Sequence, residues 1–199
     1  MSTIDIRQIS ITEMATDIIV NAANSNLWAG GGVCGAIFTA AGFDELQEAC
    51  DRIGHCDTGF AVITPGFRLK AKYVIHAVGP VWQGGDHKEP QLLYSCYQES
   101  LHLARKHDCH SISFPLISSG IYGYPKDQAW RKAIQACRDF FRENGGYDID
   151  VIFAVLGEEM RELGRETLLE IAPEYYHDWL AETLFSIREQ KKSDDPDIK

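Results

Sequence analysis

Residues 18–42 read IIVNAANSNLWAGGGVCGAIFTAAG. An apolar run, Ile18–Val20, leads into two amides flanking two alanines. A loop holding Gly30-Gly31-Gly32 follows, and then small and apolar residues suited to a helix. Strand, glycine turn and helix in that order form an anion-site pattern. Glycine lets the backbone approach a ligand, and a new helix offers unsatisfied N–H groups and the positive end of its dipole. The run has neither the GKS/GKT of a P-loop nor a GxGxxG fingerprint. Taken alone it also fits a tight turn that binds nothing.

The same logic recurs at residues 114–125, FPLISSGIYGYP, where a strand near Ser111–Pro115 enters a Ser118–Gly123 turn ahead of a helix beginning near Pro125. Open α/β sheets collect ligands beyond the carboxyl ends of their strands, so two such loops at one end can clasp a pyrophosphate from both sides. Tyr122, between two glycines, either covers a sugar or base or packs into the core. Asn21 and Asn24 close a buried strand and need hydrogen-bond partners. They either tie the loop to its neighbours or hold a ribose hydroxyl, with Asn24, nearer the glycines, the preferred ligand contact.

Working outward, further strands are expected near Ile4–Ile9, Asp17–Asn21, Phe60–Thr64, Tyr73–Ala77 and Asp150–Val155. Runs such as YVIHAV and DVIFAV suit strands buried on both faces. Helices are expected over Gly32–Ala41, Asp44–Ile53, Pro90–His107, Lys126–Glu143, Glu159–Ile171 and Tyr175–Gln190. In the fourth, Trp130, Ala133, Ile134, Cys137 and Phe141 recur at helical spacing. Asn144-Gly145-Gly146 should end that helix with residues tolerant of a left-handed turn. Strands alternating with helices predict an α/β sandwich with helices on both faces of a mainly parallel sheet.

The chain's 199 residues, 45% of them apolar, suffice for one domain with a full core. Residues 1–190 are read as that domain with a C-terminal helical extension, and 191–199 as a disordered tail. Trp179, Leu180, Leu184, Phe185 and Ile187 give the extension an apolar side expected to pack on the domain, and a monomer is expected rather than a homodimer. A formal net charge of −10 argues against nucleic-acid or anionic-membrane binding, so a phosphorylated ligand would have to be gripped by locally aimed donors. The absence of an apolar run of membrane-spanning length, together with the N-terminus MSTIDIRQIS, predicts a cytoplasmic protein. Six scattered cysteines without a CxxC pair are read as reduced and mostly buried. His102, His107, Cys109 and His110 cluster without the spacing of a four-ligand zinc set, so neither a metal nor a cofactor is expected. His76 is read as a core histidine.

With these residues in view, the chain resembles the macrodomain family of ADP-ribose-binding and ADP-ribosyl-hydrolysing modules, especially its MacroD-type branch. The resemblance rests on IVNAANSNLWAGGGVCGAI, YVIHAVGPVW with the LLYSCYQESLHLA that follows, and ISFPLISSGIYGYP. It implies a three-layer α/β/α sandwich with a mixed sheet and an ADP-ribose cleft between the two loops. Gly31, Gly32 and Val33 would line one side of the diphosphate and distal ribose. Ser119, Gly120, Ile121 and Tyr122 would line the other, and Asn24 would bond the distal ribose.

The chain departs from the family pattern at three points. Where the family carries an aspartate that accepts from the adenine amino group, this chain reads Ile9-Ser10-Ile11. Where active hydrolases carry an aspartate after the valine, it has Cys34. Where an aromatic usually follows the last strand, it has Leu156. A thiol is a poor general base, but the ligand's own phosphate can orient a water. The expected activity is hydrolysis of ester-linked ADP-ribose, either mono-ADP-ribosylated protein or O-acetyl-ADP-ribose, with Asn24 and Cys34 at the reacting end. Ser10, Ile11 and Leu156 are expected at the base. The alternative is a non-catalytic reader of ADP-ribose or a related nucleotide.

Overall fold

The computed structural model describes residues 1–178. The elements run β1 (Thr3–Gln8), β2 (Ile18–Ala22), α1 (Gly32–Ala41), α2 (Phe43–Ile53), β3 (Ala61–Pro65), β4 (Tyr73–Ala77) and α3 (Glu89–Lys106). They continue with β5 (Ser111–Phe114), α4 (Lys126–Glu143), β6 (Asp150–Val155) and α5 (Glu158–Ile171). The six strands form one sheet in the order β1-β6-β5-β2-β4-β3, parallel throughout except for β3, which runs antiparallel to β4. The expected mixed, mainly parallel α/β architecture is therefore present.

Alternation along the strands divides the core. Ile18 and Val20 join Ile75, Phe114 and Phe153 beneath α3, α4 and α5, whereas Ile19 joins Val74 and Ile152 beneath Ile37, Phe38 and Leu46 of α1 and α2. A continuous apolar run is required because both faces of β2 are covered. On α4, the five residues picked out by their spacing are all buried. Gly164 lets α5 lie on that helix, since a Cβ there would stand 2.6 Å from the Trp130 ring. All six cysteines are buried and unpaired.

Two local expectations are corrected. α4 stops at Glu143 without a left-handed residue: Asn144 has φ −121° and its side-chain Nδ2 donates to Phe140 O at 2.8 Å. No helix begins at Tyr175. Pro173–Tyr175 form a 3-10 turn, and the next residue, Tyr176, bridges to Ile4 while His177 N donates to Ile4 O at 2.9 Å. The backbone there finds its partners on the sheet edge rather than within a helix. The remainder of the expected extension, and the tail, lie outside the described residues. Among the described residues no helix is long and apolar enough to cross a membrane.

Candidate functional site

The two asparagines at the end of β2 take different roles. Asn21 is buried and its Nδ2 donates to His76 Nδ1 at 3.1 Å, while His76 Nε2 lies 2.9 Å from Thr64 Oγ1. Burial pushes the His76 pKa down to about 4, so the ring is neutral and ties β2, β4 and β3 together inside the core. Asn24 faces the cleft. Its Nδ2 donates to Trp28 O at 2.8 Å and its Oδ1 accepts from Trp28 N at 3.1 Å, which closes the loop like a buckle. One amide hydrogen and one lone pair remain available to a ligand.

The glycine run completes this wall. Gly32 has φ +60° and starts α1, a conformation that favours glycine. Gly35 is dictated by proximity, because a Cβ there would lie 2.6 Å from Gly30 O. Cys34, on the first turn of α1, is 6% exposed and its thiol donates a long bond to Trp28 O at 3.8 Å.

The facing loop is braced from two sides. Ser119 Oγ donates to Leu116 O at 2.7 Å, Gly123 N to Gly120 O at 3.0 Å, and Tyr124 N to Ser118 O at 2.9 Å. Ser118 has φ 66°, and its buried Oγ has no partner. Gly79, beyond β4, admits it: a Cβ at that position would come within 2.2 Å of Ser118 Oγ. Trp82 N donates to Tyr122 O at 2.9 Å, and the Trp82 ring packs 4.7 Å from that of Tyr124. Behind this contact, the Glu89 carboxylate accepts from the amides of Gln83, Gly85 and His87 at 2.9, 3.0 and 2.6 Å. Burial alone would raise its pKa, but the backbone amides override that and hold it at about 2.

Between the loops lies a cavity of about 560 Å³ at the carboxyl ends of β2, β5 and β6. That size falls within the range of small-molecule sites. Asn24, Gly31, Gly32, Val33, Cys34, Ser119, Gly120, Ile121, Tyr122 and Leu156 all line it. Ile121 Cδ1 arches to within 3.7 Å of where a Gly31 Cβ would stand, so the two loops meet over the cleft. The amides of Gly31, Gly32 and Val33, and those of Gly120, Ile121 and Tyr122, have no protein partner among the described residues. Together they supply a two-sided set of anion donors in an acidic protein.

The far end is built differently. Ala154, Leu156, Met160 and Leu163 make it apolar, and among the described residues Glu159 and Lys126 are the charged side chains on the cavity wall. Ser10 and Ile11, expected here, lie outside the lining. The chain turns into a 3-10 helix at Ile11, which buries that side chain against the α1 layer, and Ser10 Oγ bonds Thr12 Oγ1 at 2.9 Å. Sequence reasoning missed Gly79, Met160, Leu163, Lys126 and Glu159, as well as the Glu89 brace. The Gly-Pro after YVIHAV was the only visible signal for any of them. Among the described residues no group of three potential metal ligands occurs, the His102–His110 segment included.

Comparison with known proteins sets this geometry in context. A family profile described as Macro domain matches residues 20–133, a span that takes in the end of β2, both glycine loops and the start of α4. A macro domain-containing protein of Chlorobaculum tepidum is 50% identical over 158 residues, covering 79% of this chain and 91% of that protein. A protein of Escherichia fergusonii named O-acetyl-ADP-ribose deacetylase is 51% identical over 143 residues, covering 70% of this chain and 80% of its own length. Among solved structures, the Oceanobacillus iheyensis macrodomain with ADP superposes with a TM-score of 0.82 at 37% identity, covering 87% of this chain and 93% of that one. The Trypanosoma brucei macrodomain in complex with ADP-ribose gives 0.77 at 38% identity, covering 83% and 68%. With the family profile matching more than half of its length, half of the aligned residues identical to the Chlorobaculum tepidum protein and the fold superposing on solved macrodomains, this chain belongs to the macro domain family.

Proposed function

We propose that the cleft binds ADP-ribose and hydrolyses an ester on its distal ribose, releasing ADP-ribose from modified protein or acetate from O-acetyl-ADP-ribose. The observation that carries this reading is the set of unpartnered amides facing each other across the cavity, with Asn24 fixed beside them. The amides of Gly31–Val33 and Gly120–Tyr122 grip the diphosphate. The free N–H of Asn24 holds a ribose hydroxyl, setting the ester carbonyl near Cys34. Water then attacks that carbon, the bond to the ribose oxygen breaks, and the oxygen takes up a proton. Among the described residues no carboxylate or imidazole lines the Asn24 end, and the acidic wall residue, Glu159, is on α5. Catalysis therefore rests on orientation and fixed dipoles, with the bound phosphate orienting the water. The relatives named deacetylase support the ester chemistry, and the neighbours solved with ADP and ADP-ribose support the ligand.

Cys34 favours a second reading, a non-catalytic reader, because a thiol hydrogen-bonded to a carbonyl is a weak activator of water. A mass-spectrometric time course on protein carrying Glu-linked mono-ADP-ribose and on O-acetyl-ADP-ribose, with calorimetry of ADP-ribose on the same sample, separates the two. Turnover with binding is expected. Binding without release of either product selects the reader, and absence of binding rejects both.

A further inference from the structure

Trp28 is a large, exposed side chain beside Asn24 that the cleft does not use. Its indole is 61% exposed and forms no part of the cavity wall. Yet its backbone is held at both ends: by Asn24, and by Gln47 of α2, which accepts from Ala29 N at 2.9 Å and donates to Leu27 O at 3.3 Å. Leu27 itself has φ 58°, a conformation that L residues avoid, and it is 1% exposed. The loop thus accepts a left-handed leucine, and the result is Leu27 turned inward and Trp28 turned outward at a fixed offset from Asn24. A rigid, solvent-facing aromatic is the usual form of an interface anchor.

The surroundings indicate what it would meet. Asp51, exposed on α2, accepts from the same Gln47 at 2.8 Å, and exposed Asp57 follows Cys56, whose N donates to Ser25 O at 2.9 Å. Two carboxylates therefore sit on segments bonded to the Asn24–Trp28 loop, with Asp57 also paired to exposed His55 at 2.8 Å. An exposed indole on a loop tied to acidic segments favours a guanidinium or ammonium group.

We propose that Trp28 determines specificity for the polypeptide part of an ADP-ribosylated protein, stacking on a basic side chain next to the modified residue. This rests on the reading that the Asn24 end of the cleft holds the ester-bearing ribose, which brings the acyl group to the loop that carries Trp28. An acetyl group carries no basic side chain, so Trp28 separates protein-linked substrate from O-acetyl-ADP-ribose.

The test is calorimetry on the wild type, Trp28→Ala and Trp28→Phe with three ligands: ADP-ribose, and two peptides carrying mono-ADP-ribose through a hydrolysis-resistant linkage with either Arg or Gly beside the modified residue. The wild type should prefer the Arg peptide by about five-fold, the scale of an exposed cation–π contact. Trp28→Ala should erase that preference while leaving ADP-ribose affinity within about two-fold, because the carbonyl that Asn24 holds is retained. Trp28→Phe should keep part of it. An absent preference in the wild type, or one that survives Trp28→Ala, overturns the proposal. Failure of ADP-ribose itself to bind the wild type overturns the cleft assignment first, and this inference with it.

Discussion

The two ends of the cleft are built on opposite plans. At the glycine end, side chains are spent on fixing the backbone: Asn24 on Trp28, Ser119 on Leu116, Glu89 on three amides, with Gly35 and Gly79 allowing contacts no larger residue permits. The ligand would meet mainly main-chain N–H groups. At the α5 end the wall is apolar side chain, and Leu156 is 74% exposed, with only its carbonyl engaged, by Gln8 Nε2 at 3.2 Å. One end is preorganised for a charge, whereas the other offers mainly apolar area, with Glu159 its acidic side chain. Affinity should therefore depend steeply on the first and weakly on the second.

Asn24→Ala attacks the preorganised end directly and should show the largest effect. It removes both the ribose contact and the Trp28 buckle, so turnover of a Glu-linked ADP-ribosyl substrate should fall by about 100-fold or more, as loss of a positioned transition-state donor does. An unchanged rate would remove Asn24 from its assigned place. Cys34→Asp tests whether the thiol limits the rate at that end. A gain of about tenfold in kcat is expected from adding a base, and loss of all activity would point instead to a direct role for the sulfur.

Glu89→Gln probes the brace rather than the wall. The amide retains one acceptor oxygen for three N–H groups, so the Trp82 contact with the Tyr122 loop should loosen and ADP-ribose affinity fall by about five-fold. The pH dependence gives an independent sign. The folded-state pKa of Glu89 is about 2 against an ordinary 4.5, so its stabilisation is complete above about 4.5 and is lost as pH falls toward 2. Melting curves between pH 5 and 2 should therefore converge for the wild type and Glu89→Gln at the acid end, and parallel curves would contradict the assignment. Leu156→Phe should have the smallest effect, tightening ADP-ribose by about three-fold if a base lies on that wall. A larger change would mean that this end discriminates more than its composition suggests.

How much of this could be read from the sequence follows the same division. Strand β2 and both glycine loops announce themselves because burial on two faces and close backbone approach each restrict residue choice locally. The Trp130–Phe141 spacing on α4 is legible for the same reason. Contacts made across the chain leave no local mark. Ser118 in a left-handed conformation against Gly79, and Lys126 and Glu159 meeting one cavity, are each decided by tertiary packing. The Glu89 brace is local, but it binds backbone amides, which any residue supplies. Ser10 and Ile11 stand outside the cavity's lining: a three-residue 3-10 helix begins at Ile11 and buries its side chain against the α1 layer. The helix expected from Tyr175 does not start there, because a pairing edge on β1 was available to the backbone of Tyr176 and His177.

That pairing matters for how the molecule meets others. β1 is the outer strand at one side of the sheet, and an outer strand with free N–H and C=O groups is a template on which a foreign chain can add itself. Here Tyr176 and His177 occupy part of that template by bonding to Ile4. A second molecule seeking to continue the sheet from β1 would first have to displace the protein's own last described turn, so the fold carries its guard against edge-to-edge aggregation within its own chain.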